Sequence, residues 1–156
     1  MQFEQKTLPA QHYLYVEKEV SMADGGAIAE AMGSAFGQVY GFTEENGIER
    51  LSMPISVYTE MPKDGMMRFR GAIQVSEDDA AKASGDIKAD HLPEGKAMMT
   101  THVGPYASLN VSHKALWDHI EGQGLPGGAP IWEIYVDDPT TVPEAECRTE
   151  IYRALG

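Results

Sequence analysis

Two short passages recur in the same order along this chain. Leu8-Pro9 returns as Leu92-Pro93, and Pro54-Ile55-Ser56-Val57-Tyr58 returns as Pro130-Ile131-Trp132-Glu133-Ile134-Tyr135. In both places the Leu-Pro step precedes a strand pattern and the longer passage follows a helical one. Agreement in order around the same elements argues for internal duplication. The expected fold is therefore α+β, built from tandem β-α-β-β modules. With 156 residues the chain suits one domain with a real hydrophobic core. The first module runs over about 1–76 and the second over about 87–156.

The first module opens with strand patterns at Phe3–Lys6 and His12–Val20, separated by Pro9, which cannot donate to a ladder and marks an edge or bulge. A helix is predicted from an Asp24 N-cap to Asn46-Gly47, with Ile28, Met32, Ala35, Phe36 and Val39 as its apolar stripe. Gly33, Gly37 and Gly41 recur along it and suggest close packing against a sheet. Strands follow at Ile55–Glu60 and Arg68–Val75, joined by the turn Pro62-Lys63-Asp64-Gly65. Ser76 to Asp86 is acidic and alanine-rich, and is expected to be a solvated linker.

The second module repeats the order. A strand over Lys96–Val103 leads through Gly104-Pro105 into a helix, proline being suited to the first turn. Leu109, His113, Leu116 and Ile120 form the helix stripe, and Gly122 and Gly124 end it. Strands at Ile131–Val136 and Cys147–Leu155 complete the module.

Charge and cysteine content narrow the function classes. Twelve basic against 24 acidic residues give a formal net charge of -12. Such a surface repels nucleic-acid phosphates and anionic membranes and favours the approach of cations. Neither direct nucleic-acid binding nor membrane association is expected. The single cysteine, Cys147, permits no internal disulfide and no cysteine-built zinc cage, and is expected to be a small buried hydrophobe. No apolar run is long enough to span a bilayer and the first residues lack a signal-peptide core, so the expected location is the cytoplasm. His113 and His119 are six apart and share no helix face, and there is no Gly-x-Ser-x-Gly, phosphate loop or dinucleotide fingerprint. No metal and no cofactor are expected.

Glu133 stands out because it interrupts an apolar strand. Alternation puts Ile131, Glu133 and Tyr135 on one face and Trp132 and Ile134 on the other. Either the strand shows Glu133 to water, or the carboxylate lies on a cleft floor, poised to bind a cation or move a proton. Ser56 and Tyr58 are the counterparts of Glu133 and Tyr135 in the first module. Arg148, Glu150 and Tyr152 share a face of the last strand, where a salt bridge of Arg148 with Glu150 or a neighbour is the plain alternative to ligand contact. Tyr13, Tyr15, Trp117 and Trp132 can line a cleft, although aromatic residues of this kind are more often core, and both tryptophans are expected between helix and sheet. For His113, on the apolar stripe, a hydrogen-bonded core role is preferred to ligand binding.

The run His102-Val103-Gly104-Pro105-Tyr106, the helix end Gly122-Gln123-Gly124-Leu125, the passage Pro130 to Pro139, and Arg148-Thr149-Glu150-Ile151-Tyr152 resemble the GyrI-like family. This family embraces the gyrase-inhibitory protein and the effector-binding domains of AraC-type and multidrug-responsive activators. The match is dense from Leu92 to Leu155 and looser from Phe3 to Val75. The resemblance implies a pseudo-two-fold pair of modules with a ligand cleft between them. It implies capture of bulky apolar, aromatic or cationic compounds, with a glutamate anchor at Glu133. Tyr135, Tyr106, Tyr152, Glu150, Tyr58, Ser56 and Tyr15 are the further ligand-binding candidates. Some stand-alone relatives hydrolyse strained cyclopropane rings, so a detoxifying hydrolase using Glu133, with Tyr106 as proton donor, is the alternative. A protein-interaction role, such as gyrase inhibition, is a second alternative and rests on family analogy alone.

Overall fold

The alternation of strand and helix patterns becomes an α+β architecture in the computed structural model, which describes residues 2–60, 63–138 and 140–155. In chain order the elements are β1 (Phe3–Leu8), β2 (Gln11–Ser21), α1 (Gly25–Glu45), β3 (Ile55–Tyr58), β4 (Met66–Gln74), α2 (Glu77–Ala80), β5 (Lys88–Leu92), β6 (Gly95–Val103), α3 (Leu109–Gly122), β7 (Ile131–Tyr135) and β8 (Arg148–Ala154). Two compact units result, one of Ala10–Leu92 and one of Met1–Pro9 with Pro93–Gly156.

In the Ala10–Leu92 unit the antiparallel order is β5-β2-β4-β3. Helix α1 starts where the Asp24 carboxylate accepts the Ala27 N–H at 3.0 Å, and stops where Asn46 returns its amide to the Phe42 carbonyl. Gly47, at φ 61°, then turns the chain. The helix buries Ala35, Val39 and Thr43 against the sheet. Gly33, Gly37 and Gly41 do not make the close approach expected of them; they are exposed, with nothing near a would-be Cβ. The close approach belongs to Gly71 of β4, where an added Cβ would sit 2.6 Å from the Ala35 Cβ. Contact with the sheet falls to the stripe containing Ala35 and Val39, and a helix cannot present the glycine stripe to the same surface.

Asp64 and Gly65 carry the positive φ values, 53° and 72°, of the turn before β4. Its predicted Pro62 lies outside the described residues. The stretch read as a linker is structured at its start, where Ser76 caps α2 by accepting the Asp79 amide and Ala80 is buried; just beyond it Ile87 is buried and β5 pairs with β2. One buried alanine within the stretch and an isoleucine just after it anchor a segment that is mostly exposed, and average acidity conceals them.

The other unit has the order β1-β6-β8-β7. Its core joins Met98, Leu116, Ile120 and Ile151 on the α3 side of the ladder. Gly104 (φ 135°) and a 3-10 turn over Tyr106–Ser108 lead into α3, and Gly124 (φ 66°) follows its end. Both units share one connectivity. The first strand pairs with the third, and the third with the second: β2-β4-β3 around α1, and β6-β8-β7 around α3.

Candidate functional site

Register decides which candidates can meet. On β7, Glu133 stands opposite Ile151 and Tyr135 opposite Thr149. Ile151 belongs to the core under α3, so Glu133 and Tyr135 point to the helix-bearing face. Trp132 stands opposite Tyr152 and Ile134 opposite Glu150, on the reverse face.

Glu133 is only 3% exposed. His113 of α3 donates from Nε2 to its Oε2 at 2.7 Å, and the Tyr135 hydroxyl donates to Oε1 at 2.9 Å. A buried carboxylate requires such donors, because leaving it unsolvated and unpaired is costly. The surroundings are more open. The His113 side chain is 28% exposed, and Tyr106 is 39% exposed with its ring 5.3 Å from that of Tyr135. Burial pushes the Tyr106 hydroxyl above the ordinary tyrosine range, and the negative charge of groups including Asp137, Asp138 and Glu133 adds to this. The arrangement is an anionic floor with two tyrosines and a histidine at its rim. It can hold a cation or a hydrogen-bond donor against aromatic surface, and it can pass a proton between carboxylate, imidazole and phenol.

A second network places this rim. His102, at the end of β6, has Nε2 3.0 Å from the Pro105 carbonyl, which can only accept. Nε2 therefore carries a proton, leaving Nδ1 to accept the Ser112 hydroxyl at 2.6 Å. The Ser108 hydroxyl donates to the same carbonyl at 2.9 Å. The histidine thus fastens the strand, the Gly104-Pro105 turn and the first turns of α3, and so fixes both Tyr106 and His113.

The remaining candidates lie elsewhere. Tyr152 is buried on the reverse face, stacked on Trp132 at 5.2 Å, and donates to Glu150 at 3.0 Å. Burial first, and then Glu150, push its hydroxyl up. Trp132 accordingly does not pack between helix and sheet as expected, since its even register turns it away from α3. Trp117 does lie on α3, with Arg153 stacked over it at 4.1 Å. Arg148 pairs with Asp137 through two contacts of 2.9 and 3.0 Å, rather than with Glu150. Asp138 closes its own turn, accepting the Thr140 amide, while Pro139 of the same passage lies outside the described residues. Cys147 is buried, as expected of a small hydrophobe, and burial raises its thiol.

In the Ala10–Leu92 unit Ser56 is fully buried opposite Gly71, and Tyr58 packs into the core under α1. Tyr15 is on the opposite face, beneath the Arg70 guanidinium at 4.2 Å. Arg70 also binds Asp90 at 2.6 Å and the Tyr13 hydroxyl at 2.9 Å. Burial pushes that hydroxyl up to about 12 despite the arginine. Surface depressions of about 330 Å³ over Thr43–Arg50, and about 580 Å³ beside Phe3, Glu4 and Met99, do not include Glu133. The structure thus unites Glu133, Tyr135 and Tyr106, and adds His113. The one sequence signal for His113 was its place on the sheet-facing stripe of α3, which also suited a core histidine.

The model of the GyrI-like small molecule binding domain matches residues 1–155. The chain belongs to this GyrI-like family. A search of curated proteins gave no match. Among solved structures, the EcmrR C-terminal domain is similar at a TM-score of 0.79 and 20% identity, over 99% of this chain and 97% of that one. A hydrolase from Listeria innocua is similar at a TM-score of 0.66 and 18% identity, over 99% of this chain and 91% of the other. SAV2435, solved bound to tetraphenylphosphonium, has a TM-score of 0.64 and 15% identity, over 100% and 94% of the respective chains. At these identities the likeness is one of fold. Among the described residues no helix is long and apolar enough to cross a membrane.

Proposed function

We propose that the protein captures a bulky apolar molecule, aromatic or cationic, on the α3-bearing face of the Pro93–Gly156 region, with Glu133 as its polar anchor. One observation carries this reading: a carboxylate 3% exposed lies under a rim of half-open aromatic and imidazole side chains. The binding of tetraphenylphosphonium by SAV2435 supports the choice of ligand class. Glu133→Gln should weaken a cationic aromatic dye by ~1–3 kcal/mol, the range for a lost charge-assisted contact, while a neutral analogue changes less. Fluorescence titration decides this; equal losses for both ligands would contradict a charge anchor.

Hydrolysis is the second reading, and the short His113–Glu133 contact favours it. With Glu133 taking a proton from water and Tyr106 returning one to the leaving group, the same residues would open a strained electrophile. The hydrolase from Listeria innocua shares the fold. Incubation with cyclopropane-bearing alkylators, followed by liquid chromatography, separates the readings. Turnover of many equivalents that is lost in Glu133→Ala supports hydrolysis, and depletion stopping at one equivalent leaves capture.

A further inference from the structure

The chain has five arginines, and four of them meet a carboxylate: Arg50 at Glu44, Arg68 at Glu19 and Glu60, Arg70 at Glu17 and Asp90, and Arg148 at Asp137. Arg153 meets none among the described residues, in a sequence with 24 acidic residues. It stands on β8 two positions from Ile151, and therefore on the α3 side of the Pro93–Gly156 region, opposite Met98 and Ile131. Lys96 of β6 shares that face, on the diagonal from Arg153, and adds positive charge at its margin. The Arg153 side chain is half-buried, and its Nε is enclosed without a hydrogen-bond partner. Burial pushes the guanidinium below the ordinary arginine value. An enclosed cation with neither counter-charge nor acceptor carries a desolvation cost, which a bound oxyanion would offset.

The guanidinium is also held in place. Its Cζ lies 4.1 Å from the centre of the Trp117 ring. Trp117 is backed in turn by the loop after α3, where a Cβ on Gly127 would collide with the indole Cζ3 and where the Gly128 N–H donates to the Ala154 carbonyl at 2.9 Å. Leu125 and Trp117 pack against the same core. Stacking on an aromatic face leaves the edge of the guanidinium fork for a partner, and that edge matches the two oxygens of a carboxylate. We propose that Arg153 and Trp117 form a subsite for a carboxylate carried on a flat apolar body. The guanidinium fork takes the oxygens, while the indole, Ile131 and Leu125 take the apolar part. A doubly charged phosphate has no apolar body for these side chains and is repelled more strongly by the net charge of -12. This subsite goes beyond the Glu133 reading and does not rest on it.

The test titrates 2-naphthoate, its neutral analogue 2-naphthamide and inorganic phosphate into the full chain. The readouts are the Arg153 Nε–H and Trp117 Nε1–H signals in nitrogen-resolved NMR. Because the Nε–H is enclosed, it exchanges slowly with water and reports directly on the fork. Naphthoate should shift both signals saturably. The amide and phosphate should each bind at least about tenfold more weakly, as expected for loss of a charge-assisted pair or of the apolar contact. Arg153→Lys keeps the charge and the apolar stem but removes the planar fork, and should also weaken naphthoate by about tenfold, read from the Trp117 signal. No saturable shift with naphthoate in the wild type would overturn the inference. So would equal affinity for the amide or for phosphate, or unchanged naphthoate affinity in Arg153→Lys.

Discussion

At the scale of single residues, Tyr135 and Glu133 illustrate how a costly buried charge is held. Glu133 accepts from a phenol two positions along its own strand and from an imidazole on the facing helix. Tyr135→Phe deletes one of those donors and leaves the ring. It should lower stability by about 1–2 kcal/mol, the cost of an unsatisfied bond to a buried charged group, measured as a shift in the urea midpoint at unchanged slope. An unchanged midpoint would mean that another donor takes over the bond. Glu133 could be found in the sequence because alternation sets it on one face of an otherwise apolar strand. Its partner could not, because a stripe histidine that fills the core and one that pairs with a carboxylate have the same spacing. Register sets Glu150 and Tyr152 apart from Glu133. Glu150 is paired with Ile134 and Tyr152 with Trp132, which sets them on the reverse face, and a single strand pattern does not specify its neighbour's register.

At the scale of elements, helix-to-sheet spacing in the Ala10–Leu92 unit depends on a missing side chain. Gly71→Ala would place a Cβ 2.6 Å from the Ala35 Cβ and 3.3 Å from two Phe36 ring atoms. Because α1 must shift to admit it, the expected cost is about 1–3 kcal/mol, as for overpacking elsewhere. Gly37→Ala, on the open side of α1, should instead stabilise by about 0.4–1 kcal/mol by gaining helix propensity. Thermal unfolding of the two variants checks both signs, and loss of stability in Gly37→Ala would show that its face is covered. The ends of α1 could be read from Asp24 and Asn46-Gly47, because caps are local chemistry. The packing glycine could not, because a repeated spacing of four drew attention to the solvent side. Helix α2 and β5 were hidden for a related reason: charge content reports the exposed majority of a segment and not the one or two residues that hold it down.

At the scale of the whole molecule, the formal charge of -12 coexists with several aspartates held ionised by specific partners. The Lys82 contact lowers Asp79, the Arg148 fork lowers Asp137, and the Thr140 bonds lower Asp138. At Asp90 burial opposes ionisation, and the Arg70 and His91 bonds outweigh it, leaving that carboxyl below the ordinary value too. A carboxyl lowered by folding stabilises the native state above its unfolded value, near pH 4, and loses that contribution as pH falls through the folded value. Urea unfolding between pH 5 and pH 2.5 should therefore show declining stability, and rising stability over this range would contradict these pairings. The α+β class was visible in the alternation of strand and helix patterns, and the family resemblance was carried by His102–Tyr106, Gly122–Leu125, Pro130 to Pro139 and Arg148–Tyr152. An amide-resolved NMR titration with tetraphenylphosphonium tests most directly the proposal that a ligand sits on the face bearing Glu133. Saturable shifts should be largest at Glu133, Tyr135, His113 and Tyr106. Shifts confined to Glu150, Tyr152 and Trp132, or to the Thr43–Arg50 depression, would contradict it.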